Sequence, residues 1–259
     1  MGLVTKTRPY SKQPILVWTM GKVGSSTISY SLFMAGFYTL DIHTLFSPQV
    51  TGISSDPPSQ NGNNKLPYHI VRSRRAGSLL ESGTAPIEII TAVREPIGRN
   101  LSAFFQNVKK ADLEGKTNDQ VIALFKDTYP QHIPLRWFDN EILRGTGVDL
   151  LDRPFDHDRG WSIHEEGRFR FLTIKLDGPE DAMRGGLAAF LGDAIPIVSQ
   201  NESRGKFYAN IYDKVKSSID FNKDEIRAMY NTRYAKAFWT PPELRTLRRR
   251  WSAAHRQRS

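Results

Sequence analysis

Seven residues near the N-terminus combine glycines, hydroxyl side chains and a lysine, in the order Gly21, Lys22, Val23, Gly24, Ser25, Ser26 and Thr27. They follow an apolar run at residues 15–19, which predicts a buried strand, and they precede a helical pattern that reaches residue 35. The first turn of a helix after a glycine-rich loop points its N–H groups and the positive end of its dipole at an anion. The segment therefore predicts a phosphate site, and an ordinary capped turn between strand and helix is the alternative.

The order of residues in this loop differs from that of the nucleotide kinases. Their phosphate loop places a lysine directly before Ser or Thr and four residues after an earlier glycine. Here Lys22 precedes Gly24, and Val23 separates the lysine from the hydroxyl groups. Kinases also need a carboxylate that holds Mg²⁺, for which Asp41 is the candidate. The loop therefore favours an anion site without a metal, and a magnesium-dependent nucleotide phosphotransferase is an alternative function.

A second anion site is predicted after the β-branched run at residues 87–93, which indicates another buried strand. Arg94 ends this strand, and a helix is predicted from Pro96 towards residue 108. Because ligands of parallel sheets bind at the carboxyl ends of the strands, Arg94 is expected beside the first loop. Ser102 lies two turns into the helix, with Arg99 one turn earlier on nearly the same face. Arg94 and Ser102 are predicted to close on one phosphate, unless Arg94 is a structural residue paired with a carboxylate.

Together the two segments resemble the donor-binding signatures of the sulfotransferases. Residues 22–27 look like the 5′-phosphosulfate loop of that superfamily, and Arg94 followed eight residues later by Ser102 is similar to its 3′-phosphate site. The form Arg-x-Pro-x-x-Arg-x-x-Ser is closest to the carbohydrate sulfotransferases. Residues 201–203 with Tyr208 and Tyr212, and then residues 234–251, resemble bacterial capsular polysaccharide synthesis proteins, which are themselves sulfotransferase-like.

The resemblance implies a P-loop-like fold and transfer of a sulfuryl group from 3′-phosphoadenosine-5′-phosphosulfate (PAPS) to a hydroxyl, without a metal. It places the 5′-phosphate on the loop N–H groups and the 3′-phosphate on Arg94 and Ser102, with Lys22 beside the oxygen that bridges phosphorus and sulfur. The glycine-rich C-terminal donor loop of the cytosolic small-molecule enzymes is not evident, and Asn201, Ser203, Arg204 and Lys206 are expected to replace it. The resemblance therefore favours a saccharide acceptor over a phenol or a steroid.

The acceptor hydroxyl needs a base, and histidine is the usual choice near neutral pH. His43 ends the second predicted strand, at the same edge of the sheet as the loop. His69 precedes a cluster of arginines in a region where related glycan enzymes often place their base. We expect His43 to point into the cleft and rank it first, while either histidine has a structural role as its alternative.

The chain of 259 residues fits one α/β domain. We predict a central parallel sheet of four or five strands flanked by helices, an N-terminal tail at residues 1–13, and a helical extension at residues 200–259. The sequence also predicts several individual elements: a strand at residues 68–71, a helix over residues 131–144, a strand pair at residues 161–176, and helix starts at Thr117 and Thr240.

Composition bounds the remaining possibilities. The absence of cysteine excludes disulfides and thiolate metal sites. No apolar run reaches about 18 residues and no signal peptide is evident, so the chain is expected to be cytoplasmic.

The net charge of +9 indicates an anionic partner. A non-catalytic binder of nucleic acid or another polyanion is the remaining alternative, since six arginines lie in residues 245–258. A solvated helix face followed by a basic tail accounts for that block equally well.

Overall fold

The computed structural model describes residues 13–47, 67–199 and 207–252. Five strands form one sheet in the order β2-β1-β3-β5-β4. They are β1 (Ile15–Trp18), β2 (Thr39–Ile42), β3 (Ile87–Val93), β4 (Trp161–Glu166) and β5 (Phe169–Lys175). The first three strands and β5 run parallel, while β4 pairs antiparallel with β5 at the edge of the sheet. The predicted α/β fold with a mostly parallel sheet is confirmed.

Helices connect the strands of the sheet and also form most of the described chain after β5. Their bounds are α1 (Ser25–Met34), α2 (Tyr68–Glu81), α3 (Pro96–Asn107), α4 (Lys110–Leu113), α5 (Asn118–Thr128), α6 (Ile133–Trp137), α7 (Arg144–Thr146), α8 (Ala182–Leu191), α9 (Ala209–Ser218), α10 (Lys223–Tyr230), α11 (Arg233–Phe238) and α12 (Pro241–Arg250). A π-helical segment (Phe138–Leu143) joins α6 to α7, and a 3₁₀ turn (Leu150–Asp152) follows. Among the described residues, no helix has the length and apolar character needed to cross a bilayer.

The central strands are continuous apolar runs because helices cover both faces of the sheet. All four residues of β1 are buried, and six of the seven in β3 are buried. The predicted helix starts are also confirmed: Thr117 and Thr240 each form a capping box, with Gln120 and Glu243 as the respective third helical residues. The predicted helix over residues 131–144 is present, with the π-helical segment in its middle.

The predicted strand at residues 68–71 is wrong, because these residues form the first turn of α2. Its buried residues Ile70, Ser73 and Ala76 recur every three positions, which is the spacing of one helical face. Four residues are too few to show that period, so the β-branched pair at 70–71 favoured a strand.

The C-terminal helices pack onto the sheet domain and share its core. Helix α9 contacts α5, α10 contacts α3, and α11 contacts α6. Tyr230, Tyr234 and Trp251 are almost completely buried in the same cluster as the residues of β1 and β3. This packing brings the last third of the chain against the segment that follows β3.

The carboxyl ends of the four parallel strands lie at one edge of the sheet. The chain leaves β1 towards β2 on one side, whereas β3 lies on the other side of β1. The segments after β1 and β3 therefore diverge and leave a crevice between them, where parallel sheets bind ligands. Residues 20–27 and Arg94 flank this crevice.

Candidate active site

A cleft of about 610 Å³ opens at this crevice. It gathers most of the predicted site residues in one place, namely Gly21, Lys22, Gly24, Ser25, Ser26, Thr27, His43, Arg94, Arg99 and Ser102. Two predicted residues are not part of its wall: the side chain of Val23 is buried in the core, and His69 is exposed on α2. Asn201, Ser203, Arg204 and Lys206 lie outside the described residues.

The loop after β1 has an unusual backbone. Gly21, Lys22 and Gly24 have φ angles of 75°, 62° and 88°, and Lys22 is the non-glycine residue with positive φ among the described residues. Glycine adopts this conformation freely, whereas such strain in other residues costs about 1–3 kcal/mol and is typical of functional sites. Gly24 occupies the N-cap position of α1 and has no side chain to cap the first turn. The three residues that follow it, Ser25, Ser26 and Thr27, form the first turn of α1 and line the cleft.

The Lys22 side chain crosses the cleft to α3. Its ammonium group donates a hydrogen bond to Oε1 of Gln106, one turn after Ser102. The carbonyl oxygen of Lys22 accepts a hydrogen bond from Nη1 of Arg94 at 3.2 Å. Arg94 is thus connected directly to the loop, which places the two predicted anion sites side by side.

Arg99 lines the cleft and supports the loop through hydrogen bonds to its backbone. The residue is only 5% exposed, and its guanidinium donates to the carbonyl oxygens of Met20 at 2.5 Å and Gly21 at 3.2 Å. Further donations reach the Tyr129 hydroxyl at 2.9 Å and Oδ1 of Asn100 at 3.2 Å. Burial lowers the pKa of Arg99 from its usual value. The residue therefore positions the two peptide groups that precede Lys22.

Two buried tyrosines from the C-terminal helices fix the segment that carries Arg94. The Tyr234 hydroxyl donates to the carbonyl oxygen of Arg94 at 2.8 Å and accepts from its N–H at 3.2 Å. The Tyr230 hydroxyl donates to Oε2 of Glu95 at 2.7 Å. Burial raises the pKa of both tyrosines, so that their hydroxyls stay protonated.

Glu95 joins this segment to α3 as its N-cap residue. Its carboxylate accepts hydrogen bonds from the N–H groups of Ile97 at 3.1 Å and Gly98 at 2.7 Å. Burial raises the pKa of Glu95, while the bonds from Tyr230 and Gly98 oppose that shift. A Cβ atom at Gly98 would lie 2.3 Å from Oε1 of Glu95, so this cap requires glycine at that position.

His43 is held with one ring nitrogen available to the cleft. Its Nδ1 lies 3.0 Å from the carbonyl oxygen of Thr19. Because a carbonyl only accepts, Nδ1 carries the proton, and in the neutral ring Nε2 is the basic nitrogen. The ring lies against Gly21, where an added Cβ would come within 3.7 Å of Nε2. His43 therefore lines the cleft with its Nε2 edge close to Gly21.

Trp137, directly before the π-helical segment, and Glu141, within it, hold the backbone that follows β2. The Trp137 indole N–H donates to the carbonyl oxygen of His43 at 2.9 Å. Glu141 accepts from the Thr44 hydroxyl and from the N–H of Leu45, both at 2.7 Å. Burial raises the pKa of Glu141. These contacts leave the His43 backbone little freedom.

The family model described as "NKWYS: Putative capsular polysaccharide synthesis protein" matches residues 108–240, which is just over half of the chain. The chain belongs to this family. The segment shared with the NKWYS family contains Tyr230 and Tyr234, whereas the loop at residues 21–27 and Arg94 lie before it. Neither the curated proteins nor the solved structures contain a significant match.

The NKWYS segment also supplies cleft residues that sequence reasoning missed. Tyr129, Ile133, Leu176 and Ser199 line the cleft without a local sequence signature, and Gln106 and Asn107 join them from the preceding helix. Tyr208 and Tyr212 also line it, and for these two the sequence resemblance had given a signal. Among the described residues, no group of three or more His, Asp or Glu side chains is arranged to hold a metal ion.

Lys216 adds positive charge one turn beyond Tyr212. Its ammonium group lies 5.7 Å from the centre of the Tyr212 ring. Burial lowers the pKa of Lys216, and the positive charges of Arg250 and Arg94 lower it further. Nearby cations disfavour the charged form of an ammonium group, which is why they add to the effect of burial.

Proposed function

We propose that the protein transfers a sulfuryl group from PAPS to a hydroxyl group of a saccharide. One observation carries this proposal: the two segments predicted to bind anions, the loop at residues 21–27 and the pair Arg94 and Ser102, line the same cleft. PAPS carries one anionic group at its 5′ position and another at its 3′ position, so it matches two adjacent sites. The strand, loop and helix at residues 15–34 also suit a P-loop-like core.

The residues of the cleft divide between the two ends of the donor. The N–H groups at the start of α1 and the hydroxyls of residues 25–27 suit the 5′-phosphosulfate. Arg94 and Ser102 suit the 3′-phosphate, where a guanidinium and a hydroxyl both donate. Arg99 acts through the loop as a positioning residue. The family description, which names capsular polysaccharide synthesis, supports a saccharide as the acceptor.

In the proposed reaction the acceptor oxygen attacks sulfur, and the bond between sulfur and the 5′-phosphate oxygen breaks. Nε2 of His43 takes the proton of the acceptor hydroxyl. The Lys22 ammonium stabilises the negative charge that grows on the departing phosphate oxygen. The products are a sulfated saccharide and adenosine 3′,5′-bisphosphate (PAP), and every electron pair is accounted for without a metal.

The two candidate histidines provide a matched test. Transfer of radioactive sulfur from labelled PAPS to a panel of acidic and neutral oligosaccharides would be measured for wild type, His43→Ala and His69→Ala. We expect His43→Ala to lose about 10²–10⁴-fold in turnover, which is the usual contribution of a general base. His69→Ala should match wild type because its side chain is exposed on α2, outside the cleft.

Calorimetric titration of PAP separates chemistry from binding. His43→Ala should bind PAP as wild type does, since the base is needed only for the acceptor. Loss of transfer in both histidine variants to the same extent would contradict the role given to His43. Folded wild type that transfers no sulfur to any saccharide of the panel would contradict the proposed function.

A further inference from the structure

A second groove adjoins the cleft on the side of α3. It has a volume of about 600 Å³ and lies between the end of α3, helix α4 and the end of α5. Asn107 and Tyr129 line both the groove and the cleft. The two cavities therefore meet at these two side chains, one turn beyond Ser102 and next to Gln106, which holds Lys22.

The groove offers the two kinds of surface that a sugar ring needs. Phe104, Leu124 and Tyr129 provide apolar and aromatic area for ring faces. Asn107, Asp112, Lys116 and Thr128 provide donors and acceptors for hydroxyl groups. The volume of the groove, about 600 Å³, falls within the roughly 300–1,000 Å³ that is typical of ligand sites.

Tyr129 forms a fixed wall between the groove and the cleft. Its ring stacks on Phe125 with centroids 5.8 Å apart, and its hydroxyl accepts from Nη1 of Arg99 at 2.9 Å. Burial raises the pKa of Tyr129, so the phenol stays neutral. Because Arg99 also holds the carbonyl oxygens of Met20 and Gly21, a group that contacts Tyr129 is two hydrogen bonds from the loop.

Most of the groove wall lies within the segment that the family model matches. Residues 108–240 include Val108, Ala111 and the rest of the groove wall apart from Phe104 and Asn107. The loop at residues 21–27, by contrast, lies outside the match. The part of the chain that belongs to a family described by polysaccharide synthesis thus contains most of the groove.

We propose that this groove binds the oligosaccharide acceptor, with Asn107 and Tyr129 where the sugar chain passes into the cleft towards Lys22 and His43. The inference rests on the proposed function, and it adds the site and the size of the acceptor. A short chain of sugar units, rather than a single monosaccharide, is the substrate class that fills a groove extending away from the reacting atoms.

The test is to fill the groove and leave the cleft intact. Ala111 is exposed on α4 and lines the groove, so Ala111→Trp places an indole in it with little effect on folding. Ala189 is exposed on α8 and lines neither cavity, which makes Ala189→Trp the matched control. Each protein, saturated with PAP, would be applied to an array of capsule-derived oligosaccharides and monosaccharides, and PAP affinity would be measured separately by calorimetry.

We expect wild type and Ala189→Trp to bind at least one oligosaccharide better than its monosaccharides. Ala111→Trp should lose that binding by at least about tenfold and keep its affinity for PAP. Equal binding by wild type and Ala111→Trp, or no binding of wild type to any glycan, would overturn the groove as the acceptor site. Absence of PAP binding would count against the proposed function instead, so the two failures are distinguishable.

Discussion

The role of Arg99 as a support for the loop gives a prediction whose size follows from the structure. Arg99→Met keeps the length of the side chain and removes its donors. The carbonyl oxygens of Met20 and Gly21 then lose the guanidinium bonds at 2.5 and 3.2 Å. A hydrogen bond to a charged group contributes about 1.5–3 kcal/mol, so the gross loss from these two bonds to the loop is about 3–6 kcal/mol.

Part of this loss is offset because methionine removes a charge whose burial is unfavourable, which the lowered pKa of Arg99 indicates. We therefore expect a net destabilisation of about 3 kcal/mol, equivalent to about 6–12 °C in Tm for a domain of this size. Without the brace, the loop is expected to relax from the positive φ of Lys22. Binding of PAP must then restore the strained backbone of Lys22 at a cost of about 1–3 kcal/mol, which weakens the affinity for PAP by about 5–150-fold.

Calorimetric unfolding and PAP titration of Arg99→Met measure the two effects in one preparation. Arg153→Met is the control, since Arg153 pairs with Glu166 at the surface and such a pair contributes less than about 1 kcal/mol. An Arg99→Met protein with the Tm and PAP affinity of wild type would refute the bracing role. A change in the control as large as that in Arg99→Met would have the same consequence.

Three further predictions concern the cleft and its support. Lys22→Ala should lower turnover about 10²–10³-fold and change the Kd of PAP far less, because its charge stabilises the leaving oxygen; turnover near that of wild type would remove this role. Tyr230→Phe should lower the free energy of unfolding, measured with urea, by about 1.5–3 kcal/mol, because the buried hydroxyl donates to Glu95. Tyr30 is exposed, so the free energy of unfolding of Tyr30→Phe should stay within about 0.5 kcal/mol of that of wild type. The pKa of Glu95 is raised from 4.5 by burial, so its contribution to stability is complete below that pH and is lost as the pH rises through the raised pKa. The unfolding free energy of wild type minus that of Glu95→Gln should therefore fall as pH increases, and a rise would contradict this sign.

Contiguous patterns in the sequence were sufficient for much of the sheet and for the position of the loop. The apolar runs of β1 and β3 are continuous because both faces are covered, and the glycines at 21 and 24 directly precede α1. Such features depend on neighbours along the chain. At residues 68–71 the pattern covers only four residues, too few to separate a strand from the first turn of a helix.

The supports of the site depend on contacts between distant segments, which no local pattern specifies. Helical spacing places Arg99 near the face of Ser102, but only the packing of α3 under the loop decides that its guanidinium turns to Met20 and Gly21. Tyr230 and Tyr234 reach Glu95 and Arg94 across 135 and 140 residues. In the sequence these tyrosines resemble ordinary core aromatics, and their hydroxyl groups gain a role only when the C-terminal helices pack on α3.

The central claim is that the cleft binds the nucleotide part of PAPS through Arg94. Calorimetric titration of PAP without a metal tests this claim, with wild type, Arg94→Ala and the control Arg184→Ala, whose side chain is exposed on α8. We predict micromolar binding by wild type and by Arg184→Ala, and a loss of at least about tenfold in Arg94→Ala. Folded wild type that fails to bind PAP, or that binds ATP with Mg²⁺ in its place, would contradict the account.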